Sequence, residues 1–176
     1  IQYGSRYISK RILDIFLIIL FSIIFVPILI FSVITIVILD GFPAVIKQTR
    51  VGLHGKTFNM YKLRTMKKNS HLERDHLQEL NEQSGPLFKI ENDPRIIKGT
   101  KFFRRFSLDE IPQLINVVKG EMSLVGPRPL FPEDNSYFDE NYLRRLNVLP
   151  GITGLLQIND RNTCLLYTSP SPRDQS

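Results

Sequence analysis

The sequence predicts an α-rich α+β protein in which one membrane helix near the N-terminus precedes a polar domain of amphipathic helices and short β pieces. Three observations carry this prediction: a long uncharged run, helical spacing of apolar residues, and β-branched stretches interrupted by glycine. The chain has 176 residues and a mean hydropathy of −0.06, an average that conceals the contrast between its two parts. Composition therefore excludes a wholly soluble protein and a multi-span transporter.

The uncharged run covers residues 15–39, and its 25 residues exceed the roughly 18 that indicate a membrane segment. Pro27 lies at its midpoint, where proline removes a helix hydrogen bond and bends the helix. Both flanks are basic, with Lys10 and Arg11 before the run, so the positive-inside rule places both ends on one side. We therefore expect a re-entrant helix broken near Pro27, and a kinked single span is the alternative.

The net charge of +6 comes from one block that follows the membrane run. Residues 44–68 contain no acidic residue and these basic ones: Lys47, Arg50, Lys56, Lys62, Arg64, Lys67 and Lys68. Basic charge beside a membrane segment attracts anionic lipid headgroups or phosphate-bearing ligands. The single cysteine, Cys164, excludes a disulfide framework and a cysteine-based zinc site.

In the polar part, apolar residues at helical spacing predict an amphipathic helix over 107–119, irregular near Pro112 and ended by Gly120. The same signals predict a short strand pair or surface turn structure at 45–62, helices at 73–83 and 137–146, a turn at 92–95 and a rigid loop at 126–129. We predict three units: 1–40, the membrane helix with its basic flank; 41–163, the polar domain; and 164–176, a Ser/Pro-rich tail expected to be non-native.

Asp109 and Glu110 are the residues that most strongly indicate chemistry. One interpretation is structural, because Ser107 and Glu110 have the spacing of a capping box. The other is a reactive site, because basic residues surround the pair in sequence: Lys101, Arg104, Arg105 and Arg128. Carboxylates beside arginines can hold a metal ion and a phosphate, and a carboxylate can attack phosphorus.

The pair belongs to a series of motifs that resembles the bacterial sugar transferase family, the monotopic polyprenyl-phosphate phosphoglycosyl transferases. The motifs, in the family's order, are Lys10-Arg11-x-x-Asp14, Arg50-x-Gly52-x-x-Gly55-Lys56, Tyr61-Lys62-Leu63-Arg64-Thr65-Met66, Asn92-Asp93-Pro94-Arg95, residues 105–114, residues 119–129, and Pro150-Gly151-Ile152-Thr153-Gly154. The resemblance extends over residues 8–163.

The resemblance implies transfer of a sugar 1-phosphate from a nucleotide-diphosphate sugar, such as a UDP-sugar, to polyprenyl (undecaprenyl) phosphate. Asp109 is then the nucleophile that forms a phosphosugar-aspartate, and Glu110 is the ligand of Mg²⁺. The product would initiate assembly of exopolysaccharide, capsule, O-antigen or a glycoprotein glycan. The remaining implied roles are phosphate or nucleotide binding by Arg104, Arg128 and Arg161, contact with the lipid phosphate or lipid surface by Lys62 and Arg64, and membrane anchoring by Lys10, Arg11, Asp14 and Pro27.

The resemblance also implies a catalytic domain on the cytoplasmic face of the bacterial inner membrane, with membrane lipid as a partner and no nucleic acid. It leaves a homo-oligomer open. The alternative from the residues alone is a membrane-anchored module that binds anionic lipid or nucleic acid through the basic block at 44–68. A phosphatase that uses the same carboxylates is a weaker third hypothesis, and no motif names the sugar.

Overall fold

A computed structural model of the chain describes residues 5–68, 70, 93–132 and 143–154. The helices are α1 (Ser5–Asp40), α2 (Lys101–Arg105) and α3 (Leu114–Lys119). The strands are β1 (Val45–Val51), β2 (Thr57–Leu63), β3 (Ser123–Val125) and β4 (Gly151–Thr153), and 3-10 segments cover Leu53–Gly55, Leu108–Gln113 and Arg144–Asn147. One long apolar helix with short helices and small sheets confirms the mixed α and β class.

The strands form two small sheets. β1 and β2 pair antiparallel with Val45 opposite Leu63, which confirms the predicted strand pair at 45–62. β3 and β4 pair in parallel, and two glycines permit their close approach. A Cβ on Gly126 would lie 2.5 Å from the carbonyl oxygen of Leu149, and one on Gly151 would overlap the Gly126 backbone.

α1 is helical from Ser5 to Asp40 with Pro27 inside it, so the helix is not interrupted where we expected a break. Its re-entrant course stays a prediction. Proline removes a single backbone hydrogen bond, and the bonds of the neighbouring turns maintain the helix. Ser22 does not replace the missing bond, because its hydroxyl donates to the carbonyl oxygen of Ile19 at 2.7 Å. By length and composition α1 is able to cross a membrane.

Both halves of α1, before and after Pro27, pack against the polar domain. Ile18, before it, contacts one apolar cluster: Met60, Val117 and Met122. Ile36, after it, is fully buried in a second cluster: Ala44, Leu63 and Phe103. No residue from 15 to 31 is buried, so the helix presents its middle turns outward between two attachment points.

The segment that carries the carboxylates is divided, as Pro112 led us to expect. Leu108–Gln113 is a 3-10 segment, and the α-helix begins only at Leu114, because proline has no N–H to donate. Gly120 ends the helix with a left-handed φ of 84°.

Several expected elements fall partly or wholly beyond the described ranges. The helix at 73–83, residues 137–142 of the second helix and the tail at 164–176 lie outside the described residues, as does Asn92. The turn at Asp93 is confirmed, since the N–H of Ile96 donates to the Asp93 carbonyl at 3.2 Å. The division into units at residues 40 and 163 stays a prediction.

Candidate active site

Asp109 and Glu110 occupy the first turn of the 3-10 segment Leu108–Gln113. Ser107, the preceding residue, has a left-handed backbone with a φ of 55°, which is uncommon for a residue other than glycine. Its side chain makes no capping hydrogen bond, so the capping-box interpretation is wrong. The Ser107–Glu110 pair therefore does not form a helix cap. The left-handed backbone at Ser107 is strained, and strained backbone of this kind concentrates at functional sites.

Lys62 of β2 joins the two carboxylates. Its Nζ lies 2.9 Å from Oδ2 of Asp109 and 3.6 Å from Oε1 of Glu110. Asp109 is only 3% exposed, and burying a charged group is costly unless an opposite charge is paired with it. The structure thus places Lys62 at the carboxylates themselves, where the sequence had suggested a lipid phosphate or the lipid surface.

Asn116 aligns the strand that carries Lys62 with the segment that carries Asp109. Its Oδ1 accepts a hydrogen bond from the N–H of Tyr61 at 3.0 Å, and its Nδ2 donates to the carbonyl oxygen of Asn59 at 2.8 Å. The same Nδ2 donates to Glu121 at 2.6 Å. Because Asn116 is fully buried, these bonds hold α3 against the free edge of β2.

Arg128 approaches the pair from the proline-containing loop. Its Nη1 lies 3.9 Å from Oε1 of Glu110, and its side chain is 57% exposed. The loop is braced from two directions: the guanidinium of Arg145 donates to the Arg128 carbonyl at 2.6 Å, and that of Arg50 donates to the Pro129 carbonyl at 3.4 Å. A positive side chain is thus presented to the carboxylates from a fixed backbone.

The family model described as "Bacterial sugar transferase" matches residues 5–170 of the chain. The protein belongs to the bacterial sugar transferase family.

Named relatives share long stretches of sequence with this chain. It is 43% identical over 163 residues to the galactosyl transferase CpsE of Streptococcus agalactiae, covering 90% of this chain and 35% of the relative. It is 38% identical over 159 residues to the UDP-glucose:undecaprenyl-phosphate glucose-1-phosphate transferase of Escherichia coli, covering 89% and 32%. The chain therefore spans about a third of the length of these relatives.

A Bacillus subtilis relative is matched over more of its length. It is a putative undecaprenyl-phosphate N-acetylgalactosaminyl 1-phosphate transferase, 37% identical over 159 residues, covering 89% of this chain and 78% of the relative.

The other arginines that the sequence singled out lie apart from the carboxylates or beyond the described ranges. Arg64 is buried and caps the end of α1: its Nη2 donates to the Asp40 and Gly41 carbonyls at 2.9 and 2.6 Å. Arg104 is exposed on α2, and its charge, after the dominant hydrogen bonds from Arg95, helps to lower the pKa of Asp93. Arg161 lies outside the described residues.

The motif near the start of the chain attaches α1 to the polar domain. Asp14 accepts hydrogen bonds from the Ser123 hydroxyl at 2.7 Å and the Leu124 N–H at 3.4 Å. Lys10 donates to Ser123 and to the Val125 carbonyl, and Arg11 donates to the carbonyls of Met122 and Val118. These contacts anchor the helix to β3 and α3.

The basic block at 44–68 does not form one surface. Arg50 and Arg64 are buried and Lys62 pairs with the carboxylates, which leaves four of the seven cations on the exterior: Lys47, Lys56, Lys67 and Lys68. On this exterior the Lys119 ammonium, which donates to the Tyr61 hydroxyl at 2.9 Å, lowers the pKa of that phenol. The alternative hypothesis of a single anion-binding block therefore loses three of its cations.

Sequence reasoning missed two residues of the site, Arg50 and Gln113. Arg50 was noted only as part of a motif, yet its guanidinium lies over the Phe131 ring, 3.2 Å from the centroid. Gln113 interrupts the apolar pattern of 107–119 with a polar side chain that the structure buries. A buried amide inside an amphipathic pattern was the signal that would have identified Gln113.

Proposed function

We propose that the protein transfers a sugar 1-phosphate from a UDP-sugar to undecaprenyl phosphate through a covalent phosphosugar-aspartate at Asp109. One observation carries the proposal: a buried aspartate is paired with Lys62, and the adjacent Glu110 lies 3.9 Å from an arginine on a braced loop. Relatives named as UDP-glucose and undecaprenyl-phosphate sugar-1-phosphate transferases supply the substrate classes.

In the first step an Oδ of Asp109 attacks the phosphorus that carries the sugar. The new P–O bond forms as the bond to the nucleotide breaks, and UMP leaves with that bond's electron pair. Lys62 pairs with the carboxylate before attack, and Arg128 would stabilise negative charge on the phosphoryl oxygens.

In the second step a phosphate oxygen of undecaprenyl phosphate attacks the same phosphorus. The P–O bond to Asp109 breaks, the carboxylate is regenerated, and the undecaprenyl-diphosphate sugar is released. This product would start the assembly of exopolysaccharide, capsule, O-antigen or a glycoprotein glycan.

The donor set at the site fits Mg²⁺. The described residues contain no cluster of three or more histidine, cysteine, aspartate or glutamate side chains. Mg²⁺ at phosphate-transfer sites is usually held by one or two carboxylates together with substrate phosphates and water, which Glu110, with or without Asp109, can provide. Bound Mg²⁺ would supply positive charge to the diphosphate.

We also propose that α1 is re-entrant, with both ends and the polar domain on the cytoplasmic face of the membrane. Its attachment points support this, because Asp14 and Ile36 contact the same domain from opposite sides of the exposed turns. In a straight helix those residues are separated by about 33 Å, roughly the thickness of the hydrocarbon core. A domain outside the bilayer could not reach both if α1 crossed it upright.

A panel of UDP-glucose, UDP-galactose and UDP-N-acetylgalactosamine tests the function. Purified protein with Mg²⁺ and undecaprenyl phosphate should release UMP from at least one donor. With the donor alone, intact-protein mass should rise by one sugar phosphate. No UMP from any donor would contradict the proposal.

Cysteine labelling tests the topology. In a Cys164→Ser background, Ile8→Cys and Phe42→Cys place thiols at exposed positions on either side of the uncharged run. An impermeant maleimide should label both in inverted membrane vesicles and neither in intact cells. Labelling of one site from each side would show a crossing helix.

A further inference from the structure

A cleft of about 250 Å³ lies beside Glu110 and Arg128, between the 3-10 segment, the proline-containing loop and β4. Arg50 and Gln113 supply further polar groups to its wall, and Met60 and Ile152 supply apolar surface. The cleft therefore offers guanidiniums for a phosphate and apolar surface for a sugar ring, next to Glu110.

Gln113 is the unusual member of this wall. It is only 3% exposed, and its side chain lines the cleft together with Glu110 and Arg128. Asn116, one turn further along, bonds through both atoms of its buried amide. Residues three apart in a 3-10 helix overlie one another, so Gln113 follows Glu110 on the same side and its amide accompanies that carboxylate at the cleft.

We propose that this cleft binds the sugar 1-phosphate half of the donor and that the amide of Gln113 hydrogen-bonds a sugar hydroxyl. The inference rests on the proposed function. A hydroxyl both donates and accepts, as an amide does, whereas a phosphate oxygen accepts only and is served by the guanidiniums of Arg50 and Arg128. Met60 and Ile152 offer apolar surface to the C–H groups of a sugar ring.

Gln113→Met tests this assignment because methionine keeps the length of the side chain and removes the amide. We expect the KM for the accepted UDP-sugar to rise about tenfold, as one hydrogen bond to the sugar is lost. The inhibition constant of UDP, which carries both phosphates and no sugar, should stay within about twofold. A tenfold weakening of UDP as well, or no change in either constant, would overturn the proposal.

Deoxy analogues of the accepted UDP-sugar identify the hydroxyl. One analogue should bind the wild type about tenfold more weakly than its parent, yet bind Gln113→Met as well as its parent does. If every deoxy position costs both proteins equally, Gln113 does not contact the sugar.

Two controls keep the test decisive. Asn59→Leu removes an exposed amide from β2 and should leave both constants unchanged. If Gln113→Met fails to fold by thermal unfolding, Gln113→Leu, which also removes the amide without adding charge, is judged by the same criteria. Failure of the wild type to release UMP refutes the proposed function, whereas an unaffected Gln113 variant refutes only this inference.

Discussion

Asp14 and Asp109 are both buried aspartates beside a lysine, and their surroundings differ. Asp14 on α1 is 4% exposed. The Ser123 hydroxyl and the Leu124 N–H donate to its two oxygens, and Nζ of Lys10 lies 3.7 Å away. Fixed neutral donors therefore hold both oxygens of this carboxylate. These hydrogen bonds join α1 to β3.

Asp109 has no such neutral donors among the described residues, where its partner is the Lys62 ammonium. A flexible lysine can follow charge as it moves, whereas a backbone N–H cannot. The comparison with Asp14 shows that burial and a nearby cation do not by themselves identify a reactive carboxylate. Fixed hydrogen-bond donors on both carboxylate oxygens indicate a structural role, as at Asp14. Their absence among the described residues around Asp109 leaves its oxygens available to a ligand.

Asp109→Asn tests the role of Asp109 as the nucleophile and has the largest expected effect. An amide is not a nucleophile, so UMP release should fall by roughly 10⁴-fold or more. Thermal unfolding should change little, because Lys62 is partly exposed and water can solvate it. Full activity in this variant would contradict the assignment of the nucleophile.

Lys62→Met separates the carboxylate from its cation. We expect UMP release to fall roughly 10²- to 10³-fold, because a charge beside the reacting group is lost from a buried site. Lys67→Met, an exposed lysine of the same basic block, is the matched control and should retain wild-type activity. Equal activity in the two variants would show that the ion pair at Asp109 is dispensable.

Asp14→Asn tests the structural role of Asp14 in attaching α1 to β3. The Ser123 hydroxyl and Leu124 N–H would lose a charged acceptor, so the free energy of unfolding should fall by roughly 1 to 3 kcal/mol. UMP release per folded molecule should remain within about threefold of the wild type. A folded variant without activity would place Asp14 in the reaction instead.

Asp93 has a third environment, and its substitution has the smallest expected effect. Its carboxylate accepts hydrogen bonds from the side-chain Nε and backbone N–H of Arg95, both at 2.9 Å. These hydrogen bonds hold the pKa of Asp93 below its ordinary value of 3.8. The contribution to stability is therefore complete above that value and is lost as pH falls through the lowered pKa.

Thermal unfolding of the wild type and Asp93→Asn measures this contribution. The difference in Tm should be constant from pH 7 to about pH 5 and should shrink below pH 4. A difference that grows on acidification would contradict the lowered pKa of Asp93.

Local pattern predicted much of the fold correctly. An uncharged run, a strand pair and a helix disturbed by Pro112 follow from residues close together in the chain, where periodicity reports the structure directly. The interruption of α1 at Pro27 was predicted wrongly, because the cost of one missing hydrogen bond depends on the helical turns around it.

The site was predicted in part. Asp109, Glu110 and Arg128 were identified as a group, and the structure brings them together. The contacts of Arg64 with the end of α1 could not be predicted, because they depend on how β2 packs beside that helix.

The sequence by itself determined that a long apolar segment precedes a polar domain and that an Asp-Glu pair is accompanied by an arginine between prolines. Composition and short motifs carry that information because it is local. Only the tertiary structure decided that Lys62 pairs with Asp109, that Asp14 is an anchor, and that Gln113 is buried in the wall of the cleft beside Glu110. These facts arise when distant segments pack, since packing determines which charges lose water and which donors reach them.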